Sequence, residues 1–168
     1  MHGRQDDGGA PDATAAGLAL DGKAAGRTSG GRVGVVGAAI LRSDPPRVLA
    51  SRRTEPPRLA GLWEFPGGKV EGVETDHEAL TREIAEELGV EVRIGDRVGP
   101  DLPIGDTAVL RVYAAVLVTG KPQLRDHDEH RWLTVAELDD VPWIPVDAPV
   151  VDALRVLLAE PDGRVPEA

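Results

Sequence analysis

Apolar positions along this chain repeat in two ways. From residue 33 to 41 they run almost unbroken, Val-Gly-Val-Val-Gly-Ala-Ala-Ile-Leu. That stretch is β-capable, and too short and glycine-rich to cross a bilayer. Farther on, Leu80, Ile84 and Leu88 recur every four residues, the spacing of a helical stripe. The pattern predicts strands over 33–41 and 48–53, joined as a hairpin through the turn Ser43-Asp44-Pro45-Pro46. A loop follows over 54–59 with Pro56 and Pro57, then a short extended piece over 62–65 ending at Pro66. The striped helix opens at Thr75, which forms a capping-box pair with Glu78, and stops at Gly89 in a left-handed turn. Further strands are predicted over 90–98, 108–119 and 129–133. Val150, Val151, Leu154, Leu157 and Leu158 mark a second amphipathic helix. This order of elements predicts one mixed α/β domain over residues 31–160. Residues 1–30 read as a flexible Gly-, Ala- and Asp-rich tail in which 13–20 can form a turn or two of helix, and 161–168 as a second tail. No internal repeat is present.

Composition narrows the function classes. The net charge of −10 argues against a surface that coats a nucleic-acid polymer. A single nucleotide stays compatible, because a metal ion neutralises phosphate charge locally. Cysteine is absent, which excludes a disulfide framework, a thiol nucleophile and a thiolate metal site. No basic stretch leads into an apolar one at the N-terminus, so neither a secretory signal nor a membrane span is expected, and the expected location is the cytoplasm.

The chemistry concentrates between Gly68 and Val90. Glu83, Glu86 and Glu87 stand three and four residues apart on one helical face, beside the arc of the apolar stripe. Like charges at this spacing repel by roughly a few tenths of a kcal/mol per pair. Hard cations such as Mg²⁺ take oxygen ligands and share them with substrate phosphates. The cluster therefore reads as a metal site for phosphate chemistry; the alternative is a solvated acidic face.

The same segment resembles the Nudix box, G-x5-E-x7-R-E-U-x-E-E-x-G-U with U aliphatic. Its terms here are Gly68, Glu74, Arg82, Glu83, Ile84, Glu86, Glu87, Gly89 and Val90. The preceding run, Gly-Leu-Trp-Glu-Phe-Pro-Gly-Gly-Lys from Gly61 to Lys69, resembles the MutT branch of that superfamily. The resemblance implies the Nudix α/β/α sandwich, with the box as loop–helix–loop. It also implies that Glu83, Glu86 and Glu87 hold Mg²⁺ or Mn²⁺ together with the carbonyl of Gly67, and that Glu74 and Arg82 support them. Water would attack the β-phosphorus of a nucleoside triphosphate, giving the monophosphate and pyrophosphate.

Substrate contacts are spread more thinly. Lys69 can reach a phosphate. Arg53 matches the MutT position associated with nucleotide contact; its neighbour Arg52 is a weaker candidate. Trp63 and Phe65 alternate, so each either packs in the core or flanks a base. Asp147 precedes the last helix. It is a good N-cap, and by resemblance of residues 141–147 it meets the base. A carboxylate accepts from the cytosine N4 amino group and cannot donate to guanine O6, which points to CTP or dCTP, with 8-oxo-dGTP as the alternative. For the general base, the loop Asp126-His127-Asp128-Glu129-His130 offers Glu129 first. Rival classes are a non-catalytic Nudix ligand sensor and a hydrolase of sugar nucleotides or dinucleoside polyphosphates. The intact glutamates speak against the first and the MutT-like run against the second. Monomer and homodimer are both compatible with the sequence.

Overall fold

The computed structural model describes residues 30–159, so the expected tails, with residues 13–20, lie outside the described residues apart from Gly30. The elements in chain order are β1 (Val33–Ser43), β2 (Pro46–Arg53), β3 (Trp63–Glu64), β4 (Gly67–Lys69), α1 (Asp76–Leu88), β5 (Glu91–Arg97), β6 (Leu102–Ile104), β7 (Ala108–Thr119), β8 (His127–Leu133) and α2 (Ala148–Ala159). Short 3-10 turns at Val135–Glu137 and Pro145–Asp147 precede α2.

Among the described residues the strands form one mixed sheet with β3, β2, β1, β7 and β5 as neighbours in that order. β1 and β7 are parallel from Val33↔Ala108 to Leu41↔Val116. The second edge of β1 is shared. β4 pairs antiparallel with residues 35–37, and β2 pairs antiparallel with residues 41–43. The sheet thus splits along β1, and Gly67 and Gly68 sit where β4 enters.

The unbroken apolar run of β1 follows from burial on both faces. Val35, Ala39 and Leu41 pack toward α2, while Val36, Ala38 and Ile40 pack toward α1. Helix α1 buries Ala79, Leu80, Ile84 and Leu88 against the second of these layers. Helix α2 buries Val150, Val151, Leu154 and Leu158 against the first. A sheet covered on each face by a helix gives the expected three-layer α/β/α arrangement.

Thr75 and Glu78 form both halves of the capping box, and Gly89 ends α1 at φ 65°. Asp76 in the first turn takes two hydrogen bonds from Arg111 at 2.5 Å and one from the Tyr113 hydroxyl at 2.6 Å, which ties the start of α1 to β7. Two strands were not expected from sequence. β4 reads Gly-Gly-Lys and β6 reads Leu-Pro-Ile, both poor in strand-forming residues. Long neighbours impose the extended form: β4 lies on β1 and β6 on β7. β8 also begins earlier than expected, at His127, so the acidic and imidazole residues at 127–130 are strand rather than loop.

Candidate active site

The two glycines bring sheet and helix into contact. A Cβ on Gly67 would stand 2.0 Å from the Val36 carbonyl oxygen, and one on Gly68 would stand 2.3 Å from the Glu83 carboxyl carbon. Only glycine allows this approach. The Gly67 N–H donates to Glu87 Oε2 at 3.1 Å. Arg82 binds the neighbouring carboxylates with a fixed fork. Its Nε and Nη2 donate to Glu74 at 2.7 and 2.9 Å, and its Nη1 donates to Glu83 Oε1 at 2.8 Å. Nη2 also donates to the Lys69 carbonyl at 3.0 Å. Glu86 lies 3.6 Å from Arg82, with its side chain 51% exposed.

Glu87 is the perturbed member of this group. Burial raises its carboxyl most, the charges of Glu64 and Glu83 add to that, and the result is a pKa of about 9. Among the described residues no three acidic or imidazole groups are closed into a metal cage. The donor set nonetheless fits a hard divalent ion. It is all oxygen, and the like-charge crowding at Glu87 is what a divalent cation relieves. Glu83, Glu86, Glu87 and the Gly67 carbonyl are the groups that would hold it.

On the α2 side, a cavity of about 220 Å³ reaches these glycines. Its apolar wall is Val35, Ile104, Leu110, Val112, Ile144 and Val146. Phe65 lines it too, stacked on Trp143 with ring centres 4.8 Å apart. Asp147 lines the cavity at 3% exposure. Its carboxyl takes one long hydrogen bond, from the Phe65 N–H at 3.4 Å, and so reaches across to the residue that follows β3. Burial, and then the charge of Glu64, push that carboxyl well above its ordinary range.

Arg53, Arg58 and Glu64 supply the remaining charge on the cavity wall. Arg53 Nη1 donates to both Glu64 carboxylate oxygens, at 3.0 and 2.8 Å, and its Nε donates to the Glu55 carbonyl at 2.8 Å. His127 Nε2 lies 3.0 Å from Glu64 Oε1.

The structure thus brings Gly67, Glu74, Arg82, Glu83, Glu86 and Glu87 together, and gathers Arg53, Phe65 and Asp147 at the cavity. Lys69 is outside the cavity lining. Glu129 is also outside it, and pairs with Arg52 Nη1 at 2.8 Å. The charge from that region that acts on Glu87 is Asp126. Trp63 is core, at 4% exposure. Sequence reasoning passed over Glu64 and Arg58. For Glu64 a signal exists: it is a carboxylate set between two aromatics, Trp63 and Phe65, that are both buried. Arg58 sits in an irregular loop and carries no local signal.

The model of the NUDIX domain matches residues 31–154. A Mycobacterium tuberculosis protein named "Putative 8-oxo-dGTP diphosphatase 2" is 49% identical over 127 residues, 73% of this chain and 89% of that one. The "CTP pyrophosphohydrolase" of Escherichia coli is 35% identical over 124 residues, 73% and 91% of the two chains. Among solved structures, the solution structure of the E. coli ORF135 protein superposes with a TM-score of 0.64 at 32% identity, covering 80% of this chain and 96% of that one. No helix among the described residues is long and apolar enough to cross a membrane.

Proposed function

The chain belongs to the Nudix family, a family of hydrolases that generally use divalent metal ions, and on that premise we propose that it is a Mg²⁺-dependent nucleoside triphosphate pyrophosphohydrolase, with Mn²⁺ as a substitute ion. The observation that carries this reading is the continuity of the site. Gly67 and Gly68 line the base-sized cavity and also touch Glu87 and Glu83. A nucleotide with its base in the cavity therefore has its phosphates at the carboxylates. A bound divalent ion neutralises phosphate charge and acidifies a water for attack. The chain's own residues position: Arg82 orients Glu83, the bare glycines admit phosphate close to backbone, and Phe65 offers a ring face to the base.

Base selection falls to Asp147. An ionised carboxylate only accepts, which was the ground for cytosine. Burial favours the protonated form, and a protonated carboxyl offers one donor and one acceptor. That pair matches O6 and N7–H of 8-oxoguanine, whereas guanine itself presents two acceptors on that edge. The 49% identical relative carries 8-oxo-dGTP in its name. We therefore place 8-oxo-dGTP first. Cytosine nucleotides are the second reading, because N4–H and N3 match the same pair and the 35% identical relative is named for CTP.

Pyrophosphate release from 8-oxo-dGTP, dGTP, CTP, dCTP, UDP-glucose and a dinucleoside tetraphosphate tests both. Faster turnover of 8-oxo-dGTP than of dGTP and CTP is expected. Preference for CTP and dCTP would transfer the assignment to the second reading. Turnover of none of the triphosphates would sink the proposal.

A further inference from the structure

Helix α1 meets one row of the sheet at two points. Val36 of β1 pairs with Gly68 of β4 on one side and with Arg111 of β7 on the other. At Gly68 the helix arrives through Glu83, so closely that a Cβ there would collide with the carboxyl group. At Arg111 it arrives through Asp76, about two turns earlier in the helix. The first point belongs to the carboxylate cluster. The second has no part in the site described above.

That second point is stiff. Arg111 grips Asp76 with a fork, Nε to Oδ2 and Nη2 to Oδ1, and the Tyr113 hydroxyl donates to Oδ2 as well. Both members of the ion pair are largely covered, with side chains 14% and 19% exposed. A two-pronged guanidinium contact sets direction as well as distance. The Tyr113 ring is held in turn, by the His77 ring set edge-on with centres 5.1 Å apart and by the Arg97 guanidinium at 5.3 Å. Gly34 of β1 leaves space for the fork, since a Cβ there would stand 3.1 Å from Arg111 Nη2.

The helix has need of such a hold. Glu83 and Glu86 crowd beside Glu87, and the charges of Glu64 and Asp126 act on Glu87 too. Repulsion of this kind works to lift the carboxylate face off the glycines until a cation arrives. The last turn of α1 has no basic residue of its own; Arg125, from an exposed loop, donates to the Ala85 and Glu86 carbonyls there. Arg82 donates to Glu74, Glu83 and the Lys69 carbonyl, and so ties the helix to its own approach loop and to the three-residue β4. Asp76 ties it to β7, which pairs with β1 along the whole run from Val33 to Leu41.

We propose that Arg111 and Tyr113 are positioning residues for the divalent-metal site. By fixing Asp76 they set where α1 lies on the sheet, and so where Glu83 and Glu87 stand relative to Gly68 and Gly67. The inference rests on the metal-dependent reading given above. It concerns two side chains that bond to Asp76 and stand outside the cavity lining.

Mn²⁺ affinity tests it, read by calorimetry on the full chain without nucleotide and again from the Mn²⁺ dependence of turnover, beside the thermal midpoint. Arg111→Met should weaken Mn²⁺ binding by about tenfold, the lower end for groups that orient ligands from outside. Tyr113→Phe removes one hydrogen bond of three and should weaken it by about two- to fivefold. Arg111→Lys keeps the charge without the fork, so it should fall between Arg111→Met and the unaltered protein. Leu158→Ala is the control for lost stability alone. It hollows the α2 face and lowers the midpoint, and should leave Mn²⁺ affinity within about twofold. Unchanged affinity in a folded Arg111→Met protein would overturn the inference. So would an equal loss in Leu158→Ala, which would make affinity a mere follower of stability. If Arg111→Met does not fold, Tyr113→Phe decides, and unchanged affinity there overturns the proposal. An unaltered protein that neither binds Mn²⁺ nor hydrolyses any triphosphate would remove the reading beneath, a pattern distinct from all of these.

Discussion

Among the described residues, two carboxyl groups hold protons unusually tightly, and both do so mainly because they are buried. Glu87 sits among like charges, those of Glu64, Glu83 and Asp126, and beside the Gly67 N–H. Asp147 sits in an apolar cavity with one long hydrogen bond and no ion-pair partner among the described residues. The same desolvation therefore serves opposite ends. At Glu87 a divalent cation, held as proposed, would displace the proton, since ligands bind deprotonated. At Asp147 no cation site lies beside the carboxyl among the described residues, and in the proposed reading its proton is the donor to the base. Environment alone gives two carboxyls different tasks.

The two carboxyls should differ most in what their loss does to turnover. Glu87→Gln should lower turnover by about 10³-fold or more, about 4 kcal/mol of transition-state stabilisation. Without metal, the same change should remove a pH dependence of stability. The sign follows from the shift. The folded carboxyl is raised from 4.5 to about 9, so the native state holds the extra proton between those values. Stability of the metal-free protein then falls as pH rises through that window. Thermal unfolding from pH 5 to 9 should show a flatter profile in the glutamine variant; equal slopes would mean that another group titrates.

The next effect concerns metal affinity. Displacing one proton from Glu87 makes Mg²⁺ binding strengthen by about tenfold per pH unit below 9, roughly 100-fold between pH 6 and 8. Calorimetry in buffers of different ionisation heat should count the proton released. Base preference should vary less over the same range, because burial favours the protonated form of Asp147 and no cation displaces that proton in the proposed reading. A preference that swings with pH would put the two carboxyls in one class.

Removing the Arg82 fork is a smaller step. Arg82→Met frees Glu74 and Glu83 and should weaken metal binding by about 10- to 100-fold, the usual size for a group that orients ligands. The base end should respond least, and selectively. Asp147→Leu removes donor and acceptor and should reduce kcat/KM by about tenfold or more for the preferred base. Asp147→Asn retains one acceptor and a donor, so it should stay within a few-fold and should gain stability as pH rises above the ordinary carboxyl range. If asparagine proves as damaging as leucine, Asp147 works as an ionised acceptor and the cytosine reading regains its ground.

The same two ends were not equally legible in the chain. The carboxylate end lies within residues 67–90, and its geometry is helical periodicity, a capping box and two glycines. Spacing alone placed Glu83, Glu86 and Glu87 on one face, and the Arg82–Glu74 partnership was readable from the resemblance. The cavity draws on Val35, Phe65, Ile104, Leu110 and Asp147, which only the sheet brings together. No local pattern announces such a site. Glu129 shows the same limit: it looked free in a loop, but the β2–β8 pairing sets it opposite Arg52.

What the residues alone determined is therefore local and periodic: the α/β order, the two helices and their apolar stripes, the capped start and glycine stop of α1, and, through the resemblance of the box, the reaction class. These rest on interactions between residues a few positions apart, which any sequence displays. The tertiary structure decided what depends on burial and distant charge. It made β4 and β6 strands against their propensity, because neighbouring edges needed partners. It also raised Glu87 and Asp147 together, and set Glu64 between Arg53 and His127. Desolvation and electrostatics act through space, so neither can be read until the chain has closed around the group they change.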